Sequence, residues 1–543
     1  MPAAVAILFS GTAQSALEPD RTEHPMPTPE RKSALDHVVV VMFENRSFDN
    51  LLGRLYEPGE VPFFEGVIGK DLSNPIPEWA EHGADRKSIA YGIAQTMDTP
   101  NPDPGEEYTH VNTQLFGTID PPSNRGTLSE HMTAPFNLPA DPHANPTMNG
   151  FVTDYISAFT AECGIQPTYE QYAQIMQGYT NEQMPVISTI ARGFATFDHW
   201  FAEVPSQTFT NRSFFHAATA SGFVVNSPYS NFPGQNDAET IFERLEAKGL
   251  TWKVYVDQPS PASFTALIHG ARLKHRFATH FVSTDQFYED AANGELPTYA
   301  FIEPNMWHGH NDMHPPIGAL TPGLQADPPS SLLGGDALLA RIYTAIRDSA
   351  SEEGSNWWNT LLLVAFDEHG GTYDHVPPPA ATPPDPAAGP GQMGFTFDRL
   401  GVRLPAIAIS PWIDEHTVIT EEHRHTSVIR TLRERWDLGG PLTARDADAP
   451  DLAAIFTRDE PRLPEDWPDV HPLPVPEFDV TLIPFDAPLS PLAKALVGGV
   501  GTLVRSLDPD APEVGELDHL TGREALAKMH ATVGHLFPGL AAR

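Results

Sequence analysis

Two apolar runs each end in hard oxygen donors. Glu44 and Asn45 directly follow His37–Phe43, and Asp367 and Glu368 directly follow Thr360–Phe366. If the runs are neighbouring strands, three carboxylates and an amide oxygen converge on one point. Carboxylates so placed repel unless they are protonated or neutralised, so the pattern predicts one divalent metal ion on Glu44, Asn45, Asp367 and Glu368, with Ca, Mg, Mn and Zn all open. Either end alone reads equally well as an ordinary polar turn. It is the pair that favours a metal.

A second group is hydroxylic. Residues 204–212 run from a loop into a helix-like stretch over 213–220, and a hydroxyl at a helix N-terminus sits where backbone N–H groups can hold a phosphate. Ser206, Thr208 and Thr210 are therefore candidate nucleophiles, although the same residues serve as helix caps in most proteins. Of the 23 histidines, His308, His310 and His314 share one loop, and His369 and His375 flank the second acidic pair. A core or solvated role is commoner for any single histidine, and the clustering at strand ends is the signal.

These groups need a scaffold. The runs His37–Phe43 and Thr360–Phe366, with 404–410 and 299–302, read as strands buried on both faces. Helical stretches at 337–348 and 426–436 lie between and after them. The pattern predicts an α/β fold, a mainly parallel sheet sandwiched by helices, with ligands beyond the carboxyl ends of the strands. The Pro/Gly-rich segments 101–105 and 377–391 read as surface excursions or a lid. The organisation expected is a leader over 1–35, a catalytic domain over 36–487 and a small helical appendage over 488–543, with helices at 491–503 and 522–536.

Composition bounds the rest. A charge of −38 on 543 residues, from 71 Asp plus Glu against 33 Lys plus Arg, repels nucleic acid and anionic bilayers within about 8–10 Å. No nucleic-acid partner is expected. The single Cys163 excludes an intramolecular disulfide and any multi-cysteine metal site. The short apolar run at 3–9 lacks the basic start of a secretory signal. No run reaches the roughly 20 residues that span a bilayer, so a soluble or peripherally bound enzyme is expected.

The order of motifs resembles the phosphoesterase family of bacterial phosphatidylcholine-hydrolysing phospholipases C, plant non-specific phospholipases C and a bacterial acid phosphatase. The resemblance rests on Glu44-Asn45-Arg46-Ser47-Phe48-Asp49, on Asn311-Asp312-Met313-His314-Pro315, on Asp367-Glu368-His369-Gly370-Gly371 with Tyr373-Asp374-His375, and on His425-Thr426-Ser427. It implies an alkaline-phosphatase-like core and the metal ligands Glu44, Asn45, Asp367 and Glu368. Thr208 is implied as the nucleophile of a phospho-threonine route. His314, with His110 and His425, is implied in phosphoryl contact or leaving-group protonation. Asn211, Asp312 and Asp198 are placed at the substrate, Asp198 also as a brace for the nucleophile loop. The expected substrate is a phospholipid diester or a small phosphate ester. Aromatic residues near the site (Phe43, Trp200, Phe201, Phe209, Trp307) and few cations beyond Arg46 and Arg212 lean towards the diester. Acid phosphatase is the alternative, and an inactive headgroup-binding module is the reading from another class. Family membership suggests export or a cell-surface location, while the residues leave the compartment open. One departure stands out: many members read Asp-Pro-Gly-His where this chain reads Asp103-Pro104-Gly105-Glu106, with His110 four residues on.

Overall fold

Six consecutive apolar residues, as in 38–43 and 361–366, have no polar face to offer water, so such a run is stable as a strand only inside a sheet covered on both sides. The computed structural model describes residues 31–141, 144–228, 231–260, 262–306, 309–316, 330–477, 491–507 and parts of 520–540. The strands of its large sheet are β1 (His37–Phe43), β2 (Ala195–Phe201), β3 (Trp252–Val256), β4 (Phe281–Ser283), β5 (Tyr299–Glu303), β6 (Thr360–Phe366), β7 (Arg403–Ile409), β8 (Thr417–Ile419) and β9 (His423–Arg424). They lie in the order β8-β2-β7-β6-β1-β5-β3-β4, with β9 also beside β2. The fold is α/β with a mainly parallel sheet flanked by helices, as expected.

Register decides what meets what. β1 is parallel to β6 with Val41 opposite Val364 and Phe43 opposite Phe366, so the two acidic pairs leave adjacent strands at the same level. On its other side β1 is parallel to β5. Val39, Val40, Val41, Leu362, Leu363 and Val364 are fully buried, each such side chain contributing about 1.5–3 kcal/mol.

One expectation needs correcting. β7 runs antiparallel to both β6 and β2, so its carboxyl end at Ser410 lies at the far edge. Its first residue, Arg403, stands at the edge where the acids gather.

Helices supply the rest of the scaffold. The ones that matter here are α1 (Phe48–Leu51), α2 (Tyr108–Phe116), α3 (Phe151–Cys163), α4 (Thr208–Ala217), α5 (Ser331–Arg347), α6 (Thr426–Trp436) and α7 (Pro491–Leu507). α5 begins earlier than expected because Ser330 caps it, its hydroxyl accepting from Leu333 N–H at 3.1 Å. Its second turn carries Gly335, where a Cβ would stand 2.4 Å from Met313 Cγ. The loop bearing Asp312 can therefore press onto the helix. In α7, Val497, Val500 and Leu503 join the main hydrophobic core. Trp307, His308, residues 1–30 and most of 522–536 lie outside the described residues. Among the described residues no helix is long and apolar enough to cross a membrane.

Candidate active site

The acidic group is built by the ends of β1 and β6. Asp367 N–H donates to Phe43 O at 3.1 Å, and Glu44 N–H donates to Asp312 O at 2.8 Å. Asn45 takes the left-handed conformation, φ 59°, which asparagine tolerates better than most residues. That turn aims its N–H at Asp367 Oδ1, 3.2 Å away, which also accepts from Glu368 N–H at 2.8 Å. A Cβ on Gly370 would come within 2.3 Å of Asn45 O, so only glycine lets the two strand ends touch. Asn45, Asp367 and Glu368 are fully buried and Glu44 nearly so.

Arg212 of α4 faces this group, donating from NH2 to Glu44 Oε1 at 2.6 Å and from Nε to Asp367 Oδ2 at 3.3 Å. One guanidinium against three carboxylates leaves two negative charges. Burial, and then the charge of Asp367, push the carboxyls of Glu44 and Glu368 well above the usual carboxylate range. Asn45 Oδ1 and Glu368 Oε1 are buried without a hydrogen-bond partner. Ionised, the set carries a residual charge of −2, and with two unpartnered oxygens it is a donor set that fits a divalent cation. Glu44, Asp367 and Glu368 are nonetheless not the tightest acid grouping. Among the described residues, two sets offer ligand atoms all within 4.8 Å of one another, Asp103–Glu106–His314 and Asp49–Asp374–His375.

The hydroxyls separate cleanly. α4 starts at Thr208, five residues before the expected helix, and Thr208 Oγ1 donates to Glu44 Oε2 at 3.3 Å. Ser206 Oγ donates to Val224 O. Thr210 is fully buried and its hydroxyl has no partner. Asn211 is engaged with its own loop: its Nδ2 donates to Ser206 O at 2.7 Å and its Oδ1 accepts from Val204 N–H at 3.0 Å. It clasps the loop that presents Thr208.

The expected histidines divide in the same way. His314 reaches the group, its Nε2 2.9 Å from Asn45 Nδ2 and its Nδ1–H donating to Pro315 O at 2.6 Å. Asp312 Oδ1 accepts from His314 N–H at 3.0 Å and pairs with His310 Nδ1 at 2.8 Å, so it holds that loop. His425 stands beneath the site, Nε2–H on Asp367 O at 2.8 Å and Nδ1 accepting from Trp200 Nε1–H at 3.3 Å. Neither nitrogen is free. His110 Nδ1 pairs with Asp154 Oδ1 at 2.8 Å. Burial alone would lower its pKa, but Asp154 outweighs burial and holds it at about 9. Asp198 lies elsewhere, accepting from Glu65 N–H at 2.8 Å and His199 Nδ1 at 2.8 Å.

With this arrangement in view, the relatives are informative. Residues 35–439 match the model of the Phosphoesterase family, a span that includes both acidic pairs and Thr208. The chain belongs to the phosphoesterase family. Non-specific phospholipase C3 of Arabidopsis thaliana is 32% identical over 448 residues, covering 79% of this chain and 75% of that protein. Phospholipase C B of Mycobacterium tuberculosis is 27% identical over 475 residues, covering 82% and 83%. A member of the alkaline phosphatase superfamily from Vibrio parahaemolyticus covers 49% of this chain and 64% of its own at 14% identity, with a TM-score of 0.28. The phosphoesterase is a hydrolase of phosphate esters.

Two features of this phosphoesterase escape a sequence reading. The segment 101–105, expected as a surface excursion or a lid, folds into the site and delivers Glu106. Its Oε1 accepts from Gln207 Nε2 at 3.2 Å, and its Oε2 meets Asn45 Nδ2. A glutamate in place of a family histidine looks like a lost function until its neighbours are known.

The other feature is a buried latch around Arg403. Its NH2 donates to Asp49 Oδ1 at 2.7 Å and its Nε to Asp374 Oδ1 at 3.2 Å, tying the first acidic motif to the second. Every carboxylate oxygen of Asp49 and Asp374 has a protein donor: His375 N–H and Nδ1–H reach Asp49 Oδ2, Asp49 N–H reaches Asp374 Oδ2, and Val376 N–H reaches Asp374 Oδ1. This acidic set is satisfied without a metal.

His375 makes the latch pH-sensitive. Its ring faces Asp49, Asp374 and Arg403, with Glu65 Oε1 3.0 Å and Lys70 Nζ 2.7 Å from Nε2. Burial lowers its pKa and Arg403 and Lys70 oppose a second charge, yet Asp49 and then Asp374 hold it above 6.5. A histidine raised on folding stabilises fully below its unfolded pKa, and that contribution is lost as pH climbs through the folded value. The melting-temperature advantage of the natural protein over His375→Gln is thus expected to be larger at pH 6 than at pH 9. An advantage independent of pH would show that His375 acts through packing alone.

Proposed function

We propose that this phosphoesterase cleaves the phosphodiester bond of phospholipids in the manner of a phospholipase C, through a phosphorylated Thr208. The observation that carries the reading is Thr208 itself, the one of three candidate hydroxyls that donates to a carboxylate of the acidic group. Its first-turn position in α4 places backbone N–H groups beside an incoming phosphoryl group. The names of the relatives support the substrate class.

Glu44, Asn45, Asp367 and Glu368 would hold the cation, and a bound divalent ion supplies Lewis acidity to the phosphoryl group and the nucleophile. The chain's own residues do the remainder. Glu44 Oε2 orients the Thr208 hydroxyl, and Asn211 fixes the loop behind it. Thr208 Oγ passes its proton to Glu44 Oε2, to which it already donates, and forms a bond to phosphorus as the bond to the diacylglycerol oxygen breaks. That oxygen takes a proton, assigned to His110, whose ring packs on Gly105 next to Glu106 and whose pKa Asp154 holds at about 9. Water then gives a proton to the neutral His110 and attacks phosphorus, releasing the headgroup phosphomonoester as Thr208 Oγ takes its proton back from Glu44.

The diester is favoured over a monoester on charge. Arg46 is tied to Met313 O and Thr99 O, each at 2.7 Å, and Arg212 is shared between two carboxylates, so a dianion finds little positive charge. The aromatic argument does not survive, because Phe43, Trp200, Phe201 and Phe209 are buried in the core and cannot line an acyl approach. A panel of phosphatidylcholine, p-nitrophenylphosphorylcholine and p-nitrophenyl phosphate tests the reading. Turnover of the two diesters is expected to exceed that of the monoester, to stop with chelator and to return with a divalent ion. Preference for the monoester would make this an acid phosphatase, and turnover unaffected by chelator would remove the metal from the reading.

A further inference from the structure

A phosphate ester is an anion, and the wall it meets beside Gln207 and Thr208 carries Glu106. Next to Glu106 stand Asp103 and His314, each offering one ligand atom so that all three lie within 4.8 Å of one another. Glu106 Oε2 is 3.9 Å from His314 Nε2, and Asp103 Oδ1 is 3.9 Å from His314 Nδ1. An ion with bonds of about 2.1 Å holds its ligands roughly 3–4.2 Å apart; the spacing from Glu106 Oε2 to His314 Nε2 already lies in that range, and the set as a whole has only to close from within 4.8 Å.

Local hydrogen bonding points the same way. His314 Nδ1–H is fixed on Pro315 O, which leaves on Nε2 the lone pair that a metal would take over from the Asn45 amide 2.9 Å away, the tautomer that binds metals. Asp103 Oδ1 is buried without a partner. Asn45, fully buried, also has an unpartnered Oδ1, on the amide whose nitrogen lies against both Glu106 and His314. Turning that amide over would present its oxygen to the same point. The latch of Asp49, Asp374 and His375 forms the contrast, since Arg403 already supplies its cation.

We propose that Asp103, Glu106 and His314 form a second divalent-cation site beside the Glu44–Asn45–Asp367–Glu368 set, of the mixed oxygen and nitrogen type that suits Mn2+ or Zn2+. The ion turns a wall that repels phosphate into one that attracts it. Its existence stands apart from the phosphoesterase mechanism, and only that role rests on it.

The test is Mn2+ content of the full-length chain, stripped with chelator, reloaded with Mn2+ alone, desalted to remove ions held loosely by surface acids, and measured by mass spectrometry. Glu106→Gln is expected to hold one Mn2+ per chain fewer than the natural protein, and so is Asp103→Asn, which serves if the first variant does not fold. Asp367→Asn should keep the ion that Glu106→Gln loses. Unchanged Mn2+ content in Glu106→Gln and Asp103→Asn overturns the proposal. If instead Glu106→Gln loses its ion while Asp367→Asn loses none, the second site stands and the Glu44–Glu368 assignment fails.

Discussion

Replacing Thr208 by alanine is expected to lower turnover on the order of 10⁴-fold or more while leaving metal content and melting temperature near those of the natural protein. A covalent route loses its first step with its nucleophile, and losses of that size or larger follow removal of a catalytic hydroxyl elsewhere. The neighbouring hydroxyls provide the control. Ser206 is engaged with a backbone carbonyl and Thr210 is sealed in the core, so Ser206→Ala and Thr210→Ala should lose only the few-fold associated with local repacking. Thr208→Ser keeps an oxygen and should retain measurable activity. Rapid quench of a fast diester substrate followed by peptide mapping should find phosphate on the peptide bearing Thr208. Activity in Thr208→Ala would sink the covalent reading, and inversion at a chiral phosphorus would replace it with direct attack by water.

The largest effect on stability is expected at Arg403. Its guanidinium is fully buried and touches four groups: Asp49, Asp374, and the carbonyls of Glu65 and Asp198, the last two at 2.8 Å. Arg403→Met keeps most of the volume over the Phe48 ring, which Arg403 overlies at 4.3 Å, but strands two buried carboxylates. Removing one partner of a buried ion pair costs about 3–5 kcal/mol, a large share of the roughly 5–15 kcal/mol that holds a typical domain. Arg403→Lys should recover only part of it, since a point charge cannot span both carboxylates. The measurement is the melting temperature or, if unfolding is irreversible, the inactivation half-life at fixed temperature. A change in Arg403→Met within about 0.5 kcal/mol, the range of a surface substitution, would mean the latch does not hold the two motifs together.

What could be read from the residues was what depends on local patterning. β1 and β6 were legible because six of the seven residues of β1 and all seven of β6 are apolar or β-branched, and α6 because its apolar positions repeat at helical spacing. β2 and β3 were not, since Asp198, His199 and Lys253 interrupt them with polar side chains whose partners lie far along the chain. The direction of β7 is also absent from its residues. A strand buried on both faces looks the same in either orientation, and only its two neighbours fix it. Of the site, the acids and Thr208 could be proposed from type and spacing. The duties of His425, Asn211 and Asp198 could not, because a polar residue that binds substrate and one that holds a loop have the same letters. Glu106 was visible only as a departure, and its meaning depends on Asn45, Gln207 and His314, which come from three other segments.

The register that brings Asn45 to Asp367 across 322 residues of chain also sets an order of events during synthesis. β1 has two lateral neighbours, β5 and β6, beginning at Tyr299 and Thr360. At ribosomal rates of about 5–20 residues per second, the Val-rich strand emerges roughly 13–50 s before the first of them exists. Through that interval its backbone donors and acceptors are open to any other strand, and its side chains have no cover. The same placement that lets two distant acidic motifs share one site makes the N-terminal strand the part of the nascent chain most in need of a chaperone.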